Sequence, residues 1–397
     1  MALVASAADA KTIKVFSKKD SGRSTFRAAI DAANSDPSID RIQLLVFGRK
    51  IKLKTPVTYT GTQALTINGA GVEITENGAE NLLMATGGGD LHLKNISFVD
   101  ALQSGVVVTV PAGNTLREQA VTLDKVTLSG NGWYGLLFDD QIGGDGGGSN
   151  SDSSLRLVVT DSVIQNNNNP AIAPNADDKD GIRVNEGGIG DITTVIVDSQ
   201  LDENAAEGIE LDEIGQGDVI VSVTGSSFDN NGDQPQLPSD LEDGLDVDEA
   251  GNGDIWLSIS DSSTNGNFDE GLDLDEADEG NVYLVAVNFE ASNNLDENVK
   301  VTKLQNDAPL AGSIVARFNS VTVKDSIDGD GIKLEVFDNE INENLAGSVF
   351  ATVQYSQVIG NDSDDIQIEA LTGELLLRFT DTGPPDLTPG IVLIEIP

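Results

Sequence analysis

Three blocks of seven residues recur along the middle of this 397-residue chain: EGIELDE from Glu207, DGLDVDE from Asp243 and EGLDLDE from Glu270. Relatives precede them at Asp180 (DGIRVNE) and follow them at Glu297 (ENVKVTK) and Asp330 (DGIKLEV). Taking each block's glycine as position 0, the steps from Gly181 through Gly208, Gly244, Gly271 and Asn298 to Gly331 are 27, 36, 27, 27 and 33 residues. The two long steps are a 27-residue unit plus a turn-rich insertion, at 232–240 and 306–312. A fixed period of this length marks a solenoid.

Alternation decides which solenoid. Ile or Leu at +1 and Val or Leu at +3 share one face of a strand. A second apolar strand follows in each period (GDVIVSVTG, GDIWLSISD, GNVYLVAVN), then a weaker third, as in SSFDN or NFEAS. No 3.6-residue stripe competes with this pattern in the repeat region. The expected fold is therefore all-β: a single-domain, right-handed, three-sheet parallel β-helix with ~27 residues per coil. Asn204, Asn231, Asn267, Asn294 and Asn361 share position −4 once the insertion is removed. That register predicts a side-chain ladder satisfying turn amides from coil to coil.

The ends read differently from the middle. STFRAAIDAAN (24–34) places Phe26, Ala29, Ile30 and Ala33 on one helical face behind a Ser cap. With the strands after it, this helix would cover the open end of the solenoid. The expected division is an N-terminal cap at 1–60 (helix 24–34 plus strands), coils at 61–383 and a C-terminal closure at 384–397. The resemblance is carried by the same stretch. TFRAAIDAANSDPSIDRIQL, then KIKL and LTINGAGVEI, resemble the start of bacterial secreted and surface β-helix proteins with a CSLREAI-type signature. Ser24, Thr25, Phe26, Arg27, Ala28, Ala29 and Ile30 stand at its positions, so the Cys, Leu and Glu of the signature are replaced. The coils LHLKNISFVDALQSG and VTLDKVTLSGNGWYG also resemble that pectate-lyase-like superfamily. The resemblance implies the fold and a secreted or cell-surface location. It does not choose among the lyases, hydrolases and adhesins that the fold carries.

Charge is the main functional clue. Residues 177–297 hold 33 acidic side chains and two basic ones. Residues 1–130 are near balance, with 14 basic and 12 acidic, against 9 and 54 in residues 131–397. General acidification of the surface would not divide the chain in this way, so the acid has a local task. Direct nucleic-acid binding is excluded by the sign of the charge. With no cysteine there is no disulfide and no thiolate site. No apolar run reaches transmembrane length. Ala5-Ser6-Ala7 resembles the tail of a cleavage site, so residues 1–10 read either as a signal remnant or as an arbitrary start.

The acid falls on one strand. Position +2 reads Arg183, Glu210, Asp246, Asp273, Lys300, Lys333, and position +4 reads Asn185, Asp212, Asp248, Asp275, Thr302, Glu335. Glu207, Asp243 and Glu270 flank these at −1, and Glu186, Glu213, Glu249 and Glu276 at +5, giving three coils with four carboxylates each on an expected single face. Coils ~4.8 Å apart put each like-charged neighbour at a cost of ~3 kcal/mol at an effective dielectric of about 20. Something must offset that. Calcium, which takes six to eight oxygen ligands in tolerant geometry, is the expected cofactor. The candidate metal ligands are Glu207, Glu210, Asp212, Asp243, Asp246, Asp248, Glu270, Asp273 and Asp275; the alternative is a solvated face with diffuse counterions. His92 is the only histidine, which argues against zinc.

The insertions at 143–154, 170–179, 232–240 and 306–312 would rise as walls beside this floor, the first as a flexible Gly/Ser loop. Trp256 and Tyr283 share position +12 and form a candidate aromatic platform for a glycan. The expected function is a non-catalytic binding, adhesion or structural module with an acidic calcium-binding face. Its expected partner is a polysaccharide or another surface protein. The alternative is a calcium-dependent polysaccharide lyase or a glycoside hydrolase, with Arg183, Lys300 and Lys333 as the candidate catalytic residues. The resemblance implies a basic residue as the base of such lyases, and carboxylate pairs are too abundant here to single out a hydrolase pair.

Overall fold

The computed structural model describes residues 11–114, 118–174, 179–232, 242–305, 312–338, 348–370 and 375–380. All of its strand pairs are parallel, and successive coils stack in register. The chain is an all-β parallel β-helix, as the repeat requires. Sheet A carries the second strand of each period, from Lys11–Val15 to Leu375–Thr380. Sheet B carries the acidic strand, in eleven strands from Val57–Tyr59 to Ile366–Ala370. Sheet C carries three-residue strands such as Ser263–Asn265 and Glu290–Ser292. In the early coils sheets A and C are one bent strand, as in Leu65–Glu76 and Glu118–Ser129. The bends fall at the positive φ of Ala70 and Lys125.

The core is a single apolar column enclosed by the sheets. The odd positions +1 and +3 point into it: Ile209, Leu211, Leu245, Val247, Leu272 and Leu274 are fully buried. At the N-terminal end the helix Phe26–Ser35 packs Phe26, Ala29, Ile30 and Ala33 inward, against the first strands of sheets A and B. Its cap is Thr25 rather than the expected Ser24. Thr25 Oγ1 accepts from Ala28 N at 3.2 Å, while Ser24 turns into the left-handed region at φ 58°.

The asparagine ladder is present and longer than expected. It begins at Asn131 and Asn167, whose Nδ2 atoms donate to the Oδ1 of Asn167 and Asn204 at 2.8 and 2.9 Å. It continues through Asn231, Asn267 and Asn294, each Oδ1 also accepting the backbone amide of the preceding rung. These side chains are essentially inaccessible, so every bond forms away from water. The ladder also explains the glycine at position 0. A Cβ on Gly244 would lie 2.6 Å from Asn267 Nδ2 of the next coil.

The one coil that breaks the glycine rule repairs the ladder. Position −4 by spacing is Ile327, but the structure puts Ser326 where the next asparagine belongs. Its N–H donates to Asn361 Oδ1, as each rung does to the next, and Asn298 replaces the glycine beneath it. Asn298 Oδ1 accepts from Asn294 at 2.7 Å, and its Nδ2 donates to Asn361 at 2.9 Å, spanning the missing rung. Asn298→Gly should therefore cost ~1–2 kcal/mol in a urea melt. Ser326→Asn in the same background should recover most of it by restoring the ordinary rung. Equal stability of Asn298→Gly and wild type would refute this account.

The insertion at 143–154 is not a free loop. Asp139 and Asp140, both fully buried, hold it: Asp139 accepts from Gly148 N, and Asp140 accepts from Ser149 N and Ser151 N, all within 3.3 Å. The loop folds down onto sheet B, and Thr109 Oγ1 donates to Gly146 O. Two buried carboxylates need donors, and the loop amides supply them; that is why a Gly/Ser-rich stretch packs here. Beyond Gly232, the insertion at 232–240 lies outside the described residues. So do 1–10, 175–178 of the insertion at 170–179, 306–311 and the closure 384–397.

Candidate functional site

Strand pairing brings the acidic columns together as the spacing requires. Arg183, Glu210, Asp246, Asp273, Lys300 and Lys333 are successive register partners on sheet B, as are Asn185, Asp212, Asp248, Asp275, Thr302 and Glu335. These even positions face outward. They are less exposed than a plain surface strand: Glu210 and Asp273 are only 7% and 5% exposed, because side chains from −1 crowd over them.

Position −1 lies in the turn entering sheet B. Asp180, Glu207, Asp243, Glu270 and Glu297 stack there and are all buried. Asp243 Oδ1 accepts Glu270 N of the next coil at 2.7 Å, which anchors its carboxyl beside Asp246 and Asp273. Within 4.8 Å of one another lie oxygens of Asp243, Asp246 and Asp273, and likewise of Glu210, Asp246 and Asp248. Asp246 belongs to both triads. Further triads are Asp180–Glu207–Glu210, Asp243–Asp269–Glu270 and Glu270–Asp296–Glu297. Asp212 and Asp275, half-buried beside Asp248, stand outside the triads. Asp180, Asp269, Asp296 and Glu297 were not among the sequence candidates. The acidic pairs before the glycine (DE at 269–270 and 296–297) were the available signal.

Cations guard the two ends. Arg183 Nε pairs with Asp180 at 2.7 Å, and the guanidinium also pairs with Glu210. Lys300 Nζ lies 2.6 Å from Asp273 and 3.0 Å from Glu270, and Lys333 lies 3.1 Å from Glu297. Between these ends, no cation pairs with Asp246 or Asp248 among the described residues. Oδ1 of Asp273 and Oε2 of Glu207 are buried with no donor in reach.

The cost appears as displaced titration. Burial, then Glu270, Asp273 and Asp246, push Asp243 well above the usual carboxylate range. Burial, then Asp248 and Asp273, do the same to Asp246. Asp248 is raised to about 7 by burial and by Asp212 and Asp275, and Asp269 to about 8 by burial and by Glu270. Burial alone would lower Lys300. The carboxylates of Asp273, Glu270 and Asp275 outweigh it and hold the ammonium protonated, and Glu297 does the same for Lys333.

The +5 glutamates are not on this face. Glu186, Glu213, Glu249 and Glu276 are at most 1% exposed and form a column inside the corner after sheet B. Their position is odd, like +1 and +3, and so they point inward. Glu186 accepts from Gly188 N and Gly190 N, and Glu213 from Gly215 N and Gly217 N, closing an E-x-G-x-G turn. No donor reaches either oxygen of Glu249. Burial raises Glu186 to about 9. It raises Glu249 to about 10, with help from Glu213 and Glu276. Lys303, buried and next in register, pairs with Glu276 at 2.5 Å and ends the column.

Upstream of Arg183 the same outward column turns apolar: Met84, Val107 and Leu137 are successive partners. Val107 and Leu137 pack with Tyr134, and with Met84 and Trp133 at the edge. Tyr134 Oη donates to Asp145 of the overlying loop at 3.0 Å, and Lys179 pairs with the same carboxylate. The face therefore has a covered apolar end and an acidic centre. Trp256 and Tyr283 lie elsewhere, on sheet A, with ring centroids 3.8 Å apart and planes 13° from parallel. Each ring turns a face to the other along the coil axis and presents an edge to solvent. His92, also on sheet A, lies 3.1 Å from Thr122 Oγ1.

No family model and no curated protein matches the chain. Solved structures do. Full-length tailspike protein 2 from Escherichia coli O157:H7 bacteriophage CAB120 superposes with a TM-score of 0.54 at 12% identity, over 88% of this chain and 43% of that one. ORF18 of Geobacillus virus E2 gives 0.50 at 10%, over 93% and 61%. The pectate lyase Pel9A gives 0.42 at 15%, over 97% and 83%. The chain spans less than two thirds of either viral protein. At these identities the likeness is one of fold, and that fold is the parallel β-helix.

Proposed function

We propose that the outer face of sheet B is a divalent-cation-binding surface, with calcium as its ion, on a non-catalytic binding or adhesion module. The observation that carries this reading is the pair of carboxylate triads sharing Asp246, which no cation pairs with among the described residues, although Lys300 meets Asp273 and Arg183 meets Glu210 at the outer ends. Every donor there is a carboxylate oxygen, which suits a hard cation, and the buried Oδ1 of Asp273 has no donor in reach. Asp243, Asp246 and Asp273 would hold one ion and Glu210, Asp246 and Asp248 another, each neutralising charge that neighbouring coils force together. Asp212 and Asp275 would serve at the rim.

Catalysis is the weaker reading. A general base must release its proton near neutral pH. Lys300 and Lys333 are held protonated by their carboxylate partners, and Arg183 is engaged by two acids. These three act better as end caps of the acidic row. The similarity to a tailspike protein supports, by analogy of fold alone, a secreted or cell-surface setting. The proposed partner is a polysaccharide or another surface protein, engaged through the bound ions.

Calcium titration at pH 7.5 tests the site. Calcium should raise the melting temperature by several degrees, by mass action on the folded state. Asp246→Asn, which serves both triads, should weaken binding at least tenfold, while Asp198→Asn, exposed at another corner, should leave it unchanged. Equal responses of the two variants would mean diffuse counterions only.

The metal-free protein carries a second expectation. Asp296, Asp248 and Asp269 have folded pKa values of about 6, 7 and 8, above the ordinary carboxylate value of about 4. A raised folded pKa contributes stability that is present below the unfolded value and is lost as pH rises through the folded one. In chelator, melting temperature should fall between pH 4 and pH 8, and calcium should restore it mainly at the upper end. A flat or rising profile in chelator would contradict the crowding described above.

A further inference from the structure

We propose that the outer face of sheet A is a self-association surface, on which a second copy of this chain docks by a two-fold contact centred on Trp256 and Tyr283. Alternate residues of seven consecutive strands, from Ser154–Thr160 to Ser348–Gln354, point outward on this face. Among these described residues not one is Asp or Glu, although residues 131–397 contain 54 acidic side chains. The only charged outward positions are Arg156 and Arg317. The rest are Ser, Thr, Val, Asn, Gln and the large apolar groups.

Those apolar groups form a ridge. Ile220, Trp256, Tyr283, Val315 and Phe350 are successive register partners, five coils in a row. Ile220 and Trp256 are 40% and 43% exposed, and Val285 beside them 37%. Contiguous apolar surface of this kind on a strongly charged protein marks an interface. Trp256 lies on the fourth of the seven strands, so the aromatic pair is central, with hydroxyl-bearing positions around it and the aspartates at the strand ends as a polar rim.

Charge and area favour a second copy as occupant. Two chains of net charge −43 oppose each other wherever carboxylates meet carboxylates, and within these seven strands none is presented; Asp191, Asp218 and Asp254 stand at the strand entries and Asp161, Asp198 and Asp261 just past the strand ends. A flat sheet also matches itself under a two-fold axis, which would lay each aromatic pair on its counterpart. Seven strands at ~4.8 Å and six residues at ~3.3 Å give a patch of roughly 34 by 20 Å, near the ~800 Å² per partner of a stable complex. A glycan is the poorer fit. Sugar stacking needs exposed ring faces, and Trp256 and Tyr283 spend theirs on each other.

Sedimentation velocity on the full 397-residue chain tests this, in chelator so that ions cannot bridge the acidic faces. A dimer should form with rising concentration and strengthen with salt, because added ions screen the repulsion between the remaining surfaces. Ser258→Glu, exposed beside Trp256, should weaken association at least tenfold without changing the melting temperature. Gln200→Glu, exposed on sheet C, should leave it intact. The chain has no cysteine, so Ser258→Cys should cross-link copies on oxidation while Gln200→Cys should not. A chain that stays monomeric at every concentration and salt overturns the proposal, and so does a dimer indifferent to Ser258→Glu.

Discussion

In-register parallel pairing sets the terms for everything else in this molecule. Each residue meets its equivalent one coil away, at ~4.8 Å, so any residue type repeated with the period becomes a column of identical neighbours. For apolar residues and asparagines that repetition is favourable. Asparagine is self-complementary, each Oδ1 accepting both the side-chain and the backbone N–H of the previous rung. The repair at Asn298 shows how strongly the corner depends on it: where the rung is lost to Ser326, the glycine that normally makes room for it is replaced by the missing amide.

For carboxylates the same repetition is costly, and the chain answers in two ways. Inside the corner, glycine amides meet Glu186 and Glu213, Lys303 pairs with Glu276, and burial keeps Glu186 and Glu249 protonated near neutrality. Replacing Glu186 or Glu213 would leave the turn amides without acceptors. Outside, the −1 and +2 columns converge on Asp246, with Arg183 and Lys300 compensating only the ends. Burial and crowding favour protonated carboxyls at the centre, and on the proposed reading cations take over that role as the pH rises. That dependence is what makes a cation-responsive surface the best reading of the face.

Two faces of one solenoid thus diverge from the same repeat. Sheet B concentrates acid, and seven consecutive strands of sheet A, from Ser154–Thr160 to Ser348–Gln354, present none. Both patterns follow from strand parity, because outward positions are free of the core's demand for apolar side chains and can be set independently on each sheet. On the proposals above, a strongly acidic chain that leaves these strands without acid would separate an ion-binding side from a side able to meet protein.

Much of this was legible in the residues themselves. The period, the alternation and the glycine positions determine a three-sheet parallel solenoid, and the shared register of Asn204, Asn231, Asn267 and Asn294 determines the ladder. The composition of the acidic columns follows from register alone. Parity also carried the inward direction of Glu186 and Glu213, but their charge suggested surface; only the folded corner, with its glycine amides turned toward them, shows how a buried glutamate is satisfied. Distances decided the rest. Turns bring Asp269 and Asp296 over the floor, because a tight bend folds −2 and −1 back onto the strand, and no spacing rule encodes that. The loop after Asp140 packs rather than floats because two buried carboxylates needed its amides. The acid-free face of sheet A existed in the sequence only as scattered alternate residues, and became a surface once stacking placed them side by side.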